Sequence, residues 1–166
     1  MIKVILNKDD LSIIDEDIKS SNILVSNLND NEVALVLDEN SYNALELILK
    51  KIQINKKNYL FQTSDGWVKL NIGHILYIES FGTDIIIHTL YDGKVLVKHT
   101  LYQLEELLNP YHIIRIGKSF LVNLSKVVYI KTKLNAKLEL ELIGGLKLDV
   151  TRSYVKSFKN ALGIGG

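Results

Sequence analysis

The sequence predicts an α+β protein in two parts: a small α+β N-terminal domain over residues 1–55, then a mostly-β domain of antiparallel sheets with short helices. Three observations predict it. Short runs rich in Val, Ile and Leu, of strand length, recur through the second part. Asp65-Gly66 and Asp92-Gly93 separate such runs, and Asp-Gly between apolar segments marks a hairpin turn. Gln53, Asn55, Lys56, Lys57 and Asn58 form a polar stretch near 53–58 that reads as a linker.

In the first part, residues 2–6, 22–27 and 33–38 read as strands, and NDNE at 29–32 favours a hairpin between the last two. Residues 41–52 read as a helix, because Leu45, Ile48, Leu49 and Ile52 fall at i, i+3, i+4 and i+7 with Asn40 or Ser41 as cap. A unit of this size buries little surface alone, so it should pack on something, a copy of itself included. Asp9-Asp10 and Asp38 at strand ends invite comparison with a phosphate-accepting receiver domain. About 55 residues cannot supply that five-stranded sheet, and the carboxylates read as surface turns.

In the second part, residues 60–63 and 67–70 form a hairpin about Ser64-Asp65-Gly66; residues 75–80, 84–90 and 94–98 are the next three strands. Thr100 and Gln103 make a capping box for a helix with Leu101, Leu104, Leu107 and Leu108 on one face, ended by Asn109-Pro110. Residues 127–131 continue as a strand. Leu138, Leu140, Leu142 and Leu146, Leu148, Val150 share a face only if Leu142 opposes Leu146 across a three-residue turn, Ile143-Gly144-Gly145. A last helix is expected from about Thr151 to Leu162, burying Tyr154, Val155, Phe158 and Leu162, with Gly163 at its end.

Composition narrows the function classes. Of 166 residues 47% are hydrophobic and 23% charged, which is globular. Residues 1–58 hold seven Lys against ten acidic residues, whereas 59–166 hold thirteen Lys and Arg against nine, a net +4 where the β-rich part lies. With no cysteine, disulfides and thiolate metal sites are excluded. No secretory pattern or apolar stretch of spanning length occurs, so the expectation is a cytoplasmic protein without membrane insertion. No phosphate-binding glycine loop, nucleophile elbow or paired general acid and base appears. His74, His88, His99 and His112 show neither metal spacing nor a paired carboxylate. The expectation is therefore no enzyme, no metal and no cofactor.

The informative stretch is 111–131, and its centre is Arg115-Ile116-Gly117-Lys118-Ser119-Phe120-Leu121-Val122-Asn123. Apolar positions alternate with two cations and two hydrogen-bonding groups, and Gly117 allows close backbone approach. Cations beside a hydroxyl suit phosphate oxygens and base edges. The core Arg115, Lys118, Ser119, Phe120, Val122, Asn123 resembles the signature of the LytTR family of bacterial DNA-binding domains. Ile75-Leu76-Tyr77-Ile78-Glu79-Ser80 resembles that family's preceding strand, and Val150 to Phe158 its closing segment. The three matches cover residues 59–163.

The resemblance implies a loop-based reader of the major groove, with no recognition helix. It places DNA contacts at Thr83 and Asp84, at Arg115, Gly117, Lys118 and Ser119, and at Arg152, Ser153 and Lys156. Many members carry a basic residue or histidine in the first of these loops, so Thr83 and Asp84 depart from the pattern; Asp84 can accept from a cytosine amino group or face water. Arg152, expected at the positive end of the last helix, is mildly unfavourable there, which fits a ligand better than folding. Asn123 could be structural, as the cap of a turn. Lys94, Lys98 and His99 suit either phosphate contact or a solvated edge. The function implied is a sequence-specific transcriptional regulator binding double-stranded promoter DNA, in imperfect direct repeats, as a homodimer held by the N-terminal domain. The alternative is a ligand- or partner-regulated interaction module in which DNA binding is secondary or lost.

Overall fold

The structure, a computed structural model, describes residues 1–164, and for 54–56 the backbone alone. The chain separates into two compact units, Met1–Lys57 and the residues from Asn58 onward.

In the first unit β1 (Ile2–Asn7), β2 (Leu24–Asn27) and β3 (Glu32–Leu37) form an antiparallel sheet with β3 at its centre. Asn29 shapes the β2–β3 turn, its Oδ1 accepting from the N–H groups of Asn31 and Glu32 at 2.9 Å each. Helices α1 (Leu11–Lys19) and α2 (Tyr42–Lys56) pack on this sheet, with Ile14, Leu35, Leu37, Leu45 and Ile48 buried together. Helix α1 was not expected from the sequence. Its Leu11, Ile14 and Ile18 sit at i, i+3 and i+7, but Asp15-Glu16-Asp17 between them narrows the stripe to the point of hiding it. Asp9 and Asp10 belong to a 3-10 turn that opens α1. Among the described residues no group of three or more His, Asp or Glu side chains is placed to hold a metal ion.

Two boundaries move. A 3-10 turn at Glu39–Ser41 leads into α2, and Asp38 caps it: its Oδ1 accepts from the Ser41 N–H at 3.1 Å. The expected linker at 53–58 shrinks to Lys57, since α2 runs to Lys56 and β4 starts at Asn58. Polar composition marks exposure and does not by itself end a helix.

In the second unit β4 (Asn58–Thr63) and β5 (Gly66–Asn71) make a hairpin. A five-stranded antiparallel sheet follows, ordered β8-β7-β6-β10-β9, from β6 (Ile75–Phe81), β7 (Asp84–Thr89), β8 (Lys94–Val97), β9 (Ile113–Gly117) and β10 (Phe120–Asn123). Helix α3 (Leu101–Leu108) begins with both halves of the capping box: Gln103 N–H donates to Thr100 Oγ1, and Thr100 N–H to Gln103 Oε1. Strands β11 (Val127–Thr132), β12 (Leu138–Leu142) and β13 (Lys147–Val150) form a three-stranded meander. Leu140 faces Leu148, so Leu142 falls opposite Leu146, whose carbonyl accepts from the Leu142 N–H at 2.8 Å. Gly144 and Gly145 each take φ 92° in that turn, a conformation glycine adopts without a side-chain clash.

The last helix starts later than the sequence predicts. Helix α4 is Val155–Leu162, and Arg152–Tyr154 ahead of it is a 3-10 turn. Thr151 is occupied elsewhere: its N–H and Oγ1 both donate to the Ile116 carbonyl of β9, at 3.0 and 3.4 Å. Arg152 therefore lies in the 3-10 turn that leads directly into α4, still at its positive N-terminal end.

Two cores share the β9–β10 hairpin. Ile113 and Leu121 join Phe61, Ile78, Ile87, Leu104 and Leu108 in the first, under α3. Ile116 and Val122 join Leu140, Leu142, Val150 and Phe158 in the second, against the meander and α4. Each fully buried Leu, Ile or Phe contributes about 1.5–3 kcal/mol, so this hairpin is anchored on both faces. Its turn, residues 117–119, is held far more firmly than an ordinary surface loop.

Candidate nucleic-acid interface

The site is built outward from the β9–β10 turn. Arg115 laces that turn from inside: its Nε donates to the Gly117 carbonyl at 2.7 Å and its Nη2 to the Lys118 carbonyl at 2.6 Å. Glu105 of α3 stands 3.7 Å from Nη1. With two of its five N–H donors on turn carbonyls and its side chain only 20% exposed, Arg115 shapes the turn. Gly117 is buried as well; a Cβ there would meet the Thr151 side chain at 3.5 Å. That is ordinary van der Waals contact, so the packing against Thr151 does not itself require a glycine. Asn123 is 2% exposed and structural, donating through Nδ2 to the Ile75 carbonyl and capping the next turn through Oδ1. What the turn presents outward is Lys118, exposed, and Ser119, half-buried.

Two further turns adjoin it. Ser80 N–H donates to the Ser119 carbonyl at 2.8 Å, tying the end of β6 to the turn. The β6–β7 turn beyond it, with Gly82 at φ 61°, carries Thr83 and Asp84 exposed. On the other side the Thr151–Ile116 bonds bring in Arg152 and Ser153, both exposed, with Lys156 exposed one helical turn further on. Lys118, Ser119, Arg152 and Ser153 line one open cavity of about 680 Å³. Thr83 and Asp84 do not reach it; they line a second depression with Lys98 and His99. Of the residues expected at the site, the structure thus groups five in one cavity, Gly117, Lys118, Ser119, Arg152 and Ser153, and sets Lys156 beside them and Thr83 and Asp84 at a neighbouring turn. Arg115 does not line the cavity and braces the turn from beneath.

Charge is distributed unevenly around these turns. Among the described residues Lys118, Arg152 and Lys156 make no ion pair. Lys133, by contrast, lies 3.1 Å from Asp149 and 3.5 Å from Glu139 on the outer face of the meander. The hydrogen bond to Asp149, with Glu139 beside it, holds its ammonium above the ordinary lysine value.

The sequence reading missed several features. Asn135 and Lys137, from the β11–β12 turn, line the same cavity as Lys118 and Arg152. The only signal for them was a polar Lys-x-Asn-x-Lys stretch between two strands. His88, expected to lack a carboxylate partner, has Nε2 2.7 Å from Glu79 Oε1 and stacks on Tyr77 at 4.1 Å. The pair faces across neighbouring strands, β6 and β7, a proximity that sequence spacing does not show. Burial, with Glu79 nearby, raises the Tyr77 phenol.

A family model described as the LytTr DNA-binding domain matches residues 65–163. The transcriptional regulatory protein LytR of Staphylococcus aureus is 29% identical over 128 residues, covering 76% of this chain and 50% of that protein. The sensory transduction protein LytT of Enterococcus faecalis is 38% identical over 65 residues, 39% of this chain and 27% of that protein. A solved LytTr DNA-binding domain from Bacillus cereus superposes with a TM-score of 0.58 at 25% identity, covering 66% of this chain and 99% of that one. The chain spans at most half the length of these curated relatives.

Proposed function

Because this chain belongs to the LytTr DNA-binding domain family, we propose that it is a bacterial transcriptional regulator that binds duplex DNA in a sequence-specific way. Its contacts are the turns at 81–84, 117–119 and 151–153. One observation carries the reading: Lys118 and Arg152, from turns 34 residues apart in sequence, face one open cavity, and neither has an ion-pair partner among the described residues. A cation left without a carboxylate beside hydroxyls and backbone N–H groups suits a phosphate or a base edge. Arg152 reads a guanine edge in the major groove, while Lys118 and Lys156 neutralise phosphates. Asp84 cannot meet a phosphate, so the 81–84 turn adds selectivity and little affinity.

The N-terminal unit holds two copies together on imperfect direct repeats. Its sheet leaves Leu24 71% and Ile5 58% exposed, apolar surface suited to a second copy. A fragment spanning residues 58–166, the second compact unit, should be monomeric and bind a paired site less tightly than the full chain. Equal affinity and an unchanged oligomeric state would remove this role from the unit.

The test of DNA binding is selection of bound duplexes from a random pool, then mobility shifts on the selected site with a salt titration. Two or three phosphate contacts give a slope of log affinity against log salt of about −2 to −3. Arg152→Ala should cost roughly 1–3 kcal/mol on the selected site and flatten the preference at one position. If the pool yields no preferred sequence, the chain is an interaction module, and the proposal fails.

A further inference from the structure

We propose that the β11–β12 turn, residues 133–137, is a further DNA-reading element, with Asn135 addressing a base edge and Lys137 a phosphate. The inference rests on the DNA-binding reading above and extends it to a turn that neither motif nor resemblance assigned.

Three observations converge on it. First, Asn135 and Lys137 line the same cavity as Lys118 and Arg152, so a duplex seated against those two cations also meets this turn. No carboxylate lines that cavity, which therefore matches a polyanion in charge along its length. It runs on into a second depression that shares Asn135 and Lys137 and adds Lys131.

Second, the turn holds an unusual backbone. Asn135 and Ala136 take φ 65° and 59°, two consecutive left-handed residues, neither of them glycine. The neighbouring β12–β13 turn achieves its positive φ values with Gly144 and Gly145. A turn needed only to reverse the chain would be less strained with glycine. Asparagine tolerates this conformation better than most residues, so the strain falls on Ala136; what the turn gains over a glycine pair is a polar side chain at 135, held at the tip.

Third, the tip is presented outward: Leu134 is 88% exposed, and Asn135 is exposed beside it. The hairpin beneath is closed by the Lys133 N–H to Lys137 carbonyl bond at 2.9 Å, and Leu138 at its base is 4% exposed in the core. The tip is therefore carried on a fixed support. Asparagine is the side chain that pairs two ways with adenine, through N6 and N7.

The experiment uses the full-length chain and compares wild type with Asn135→Gly and Lys137→Ala, by selection from a random duplex pool and by salt titration on the selected site. Asn135→Gly keeps the left-handed conformation accessible, so its thermal stability should equal or exceed that of wild type. Its selected site should lose preference at one base pair, with roughly 5- to 150-fold weaker discrimination there. Lys137→Ala should lower the salt slope by about one contact, a change of about three- to fourfold in affinity between 50 and 200 mM salt. If wild type selects a sequence and both variants reproduce its preference and slope, the 133–137 turn is only a chain reversal and this proposal is overturned, while the reading of Lys118 and Arg152 stands. If wild type selects nothing, both readings fall together. Should Asn135→Gly misfold, Asn135→Asp keeps the turn and replaces the amide donor with a charge; unchanged base preference in that variant overturns the proposal equally.

Discussion

Replacing Arg115 separates a residue that shapes the interface from one that touches the ligand. Its guanidinium makes two short hydrogen bonds to the carbonyls of Gly117 and Lys118, at 2.7 and 2.6 Å. Hydrogen bonds from a charged donor contribute about 1.5–3 kcal/mol each. The side chain is 20% exposed, so water competes only in part; it can reach the Lys118 carbonyl more easily than that of the buried Gly117. Discounting one of the two bonds for that access, Arg115→Ala should lose about 2–4 kcal/mol. Arg115→Lys keeps the charge but replaces a planar fork with a single ammonium that cannot span both carbonyls, so about half the loss should remain.

Urea unfolding of both variants gives the stability term, and a salt titration of DNA binding gives the other. With the turn unlaced, Lys118 must be ordered on binding, at about 1–2 kcal/mol for each residue fixed. Affinity should therefore fall about tenfold or more in both variants, with the salt slope unchanged. A direct phosphate contact predicts the reverse pattern: stability intact, Arg115→Lys close to wild type, and a slope reduced by about one in Arg115→Ala. That second pattern would refute the assignment of Arg115 to the scaffold.

Two further substitutions probe the same neighbourhood. Gly117→Ala should be accommodated within about 1 kcal/mol, because the new Cβ would sit 3.5 Å from Thr151 Cγ2 in ordinary contact and the backbone is not left-handed; thermal melting and a mobility shift both near wild type are expected, and a lost complex would show that backbone exposure at 117 matters. Phe158→Ala empties a fully buried site in the core under α4 and should cost about 3–5 kcal/mol by urea unfolding; a loss below 1 kcal/mol would mean that α4 does not anchor the segment carrying Arg152.

Much of the second unit was legible because its strands obey period 2 and its turns use glycine where positive φ is required. The register of β12 against β13 followed from which leucines had to share a face. Helix α3 followed from the reciprocal bonds available to Thr100 and Gln103. What escaped the sequence depended on contacts between distant residues. Thr151 reads as the start of the last helix until its N–H and Oγ1 are found on the Ile116 carbonyl and the next three residues form a 3-10 turn ahead of α4. Arg115 looks like a ligand contact until two of its donors are found on the carbonyls of its own turn. Asn135 carried only the weak positive-φ signal of an asparagine, and Ala136 carried none.

The same contacts bear on a difficulty raised by composition, since a net +4 over the second part is modest for a polyanion binder. Net charge counts every lysine equally, whereas binding responds to local potential. Lys133 and Lys147 stand within 4 Å of Glu139 or Asp149 on the outer face of the meander, where the opposed carboxylates cancel most of their field. Lys118, Lys137, Arg152 and Lys156 have no such neighbour among the described residues, and three of the four line one cavity. Carboxylates therefore oppose the lysines on the outer face of β12 and β13, whereas none lines the cavity that holds Lys118, Lys137 and Arg152, so the local potential favours an anion at the cavity. Removing the paired lysines should therefore leave DNA affinity almost untouched, while removing any of the four should not. Lys147→Ala against Lys118→Ala in one salt titration decides it: a slope lowered equally by both would mean that binding is diffuse and that the turns have no privileged role.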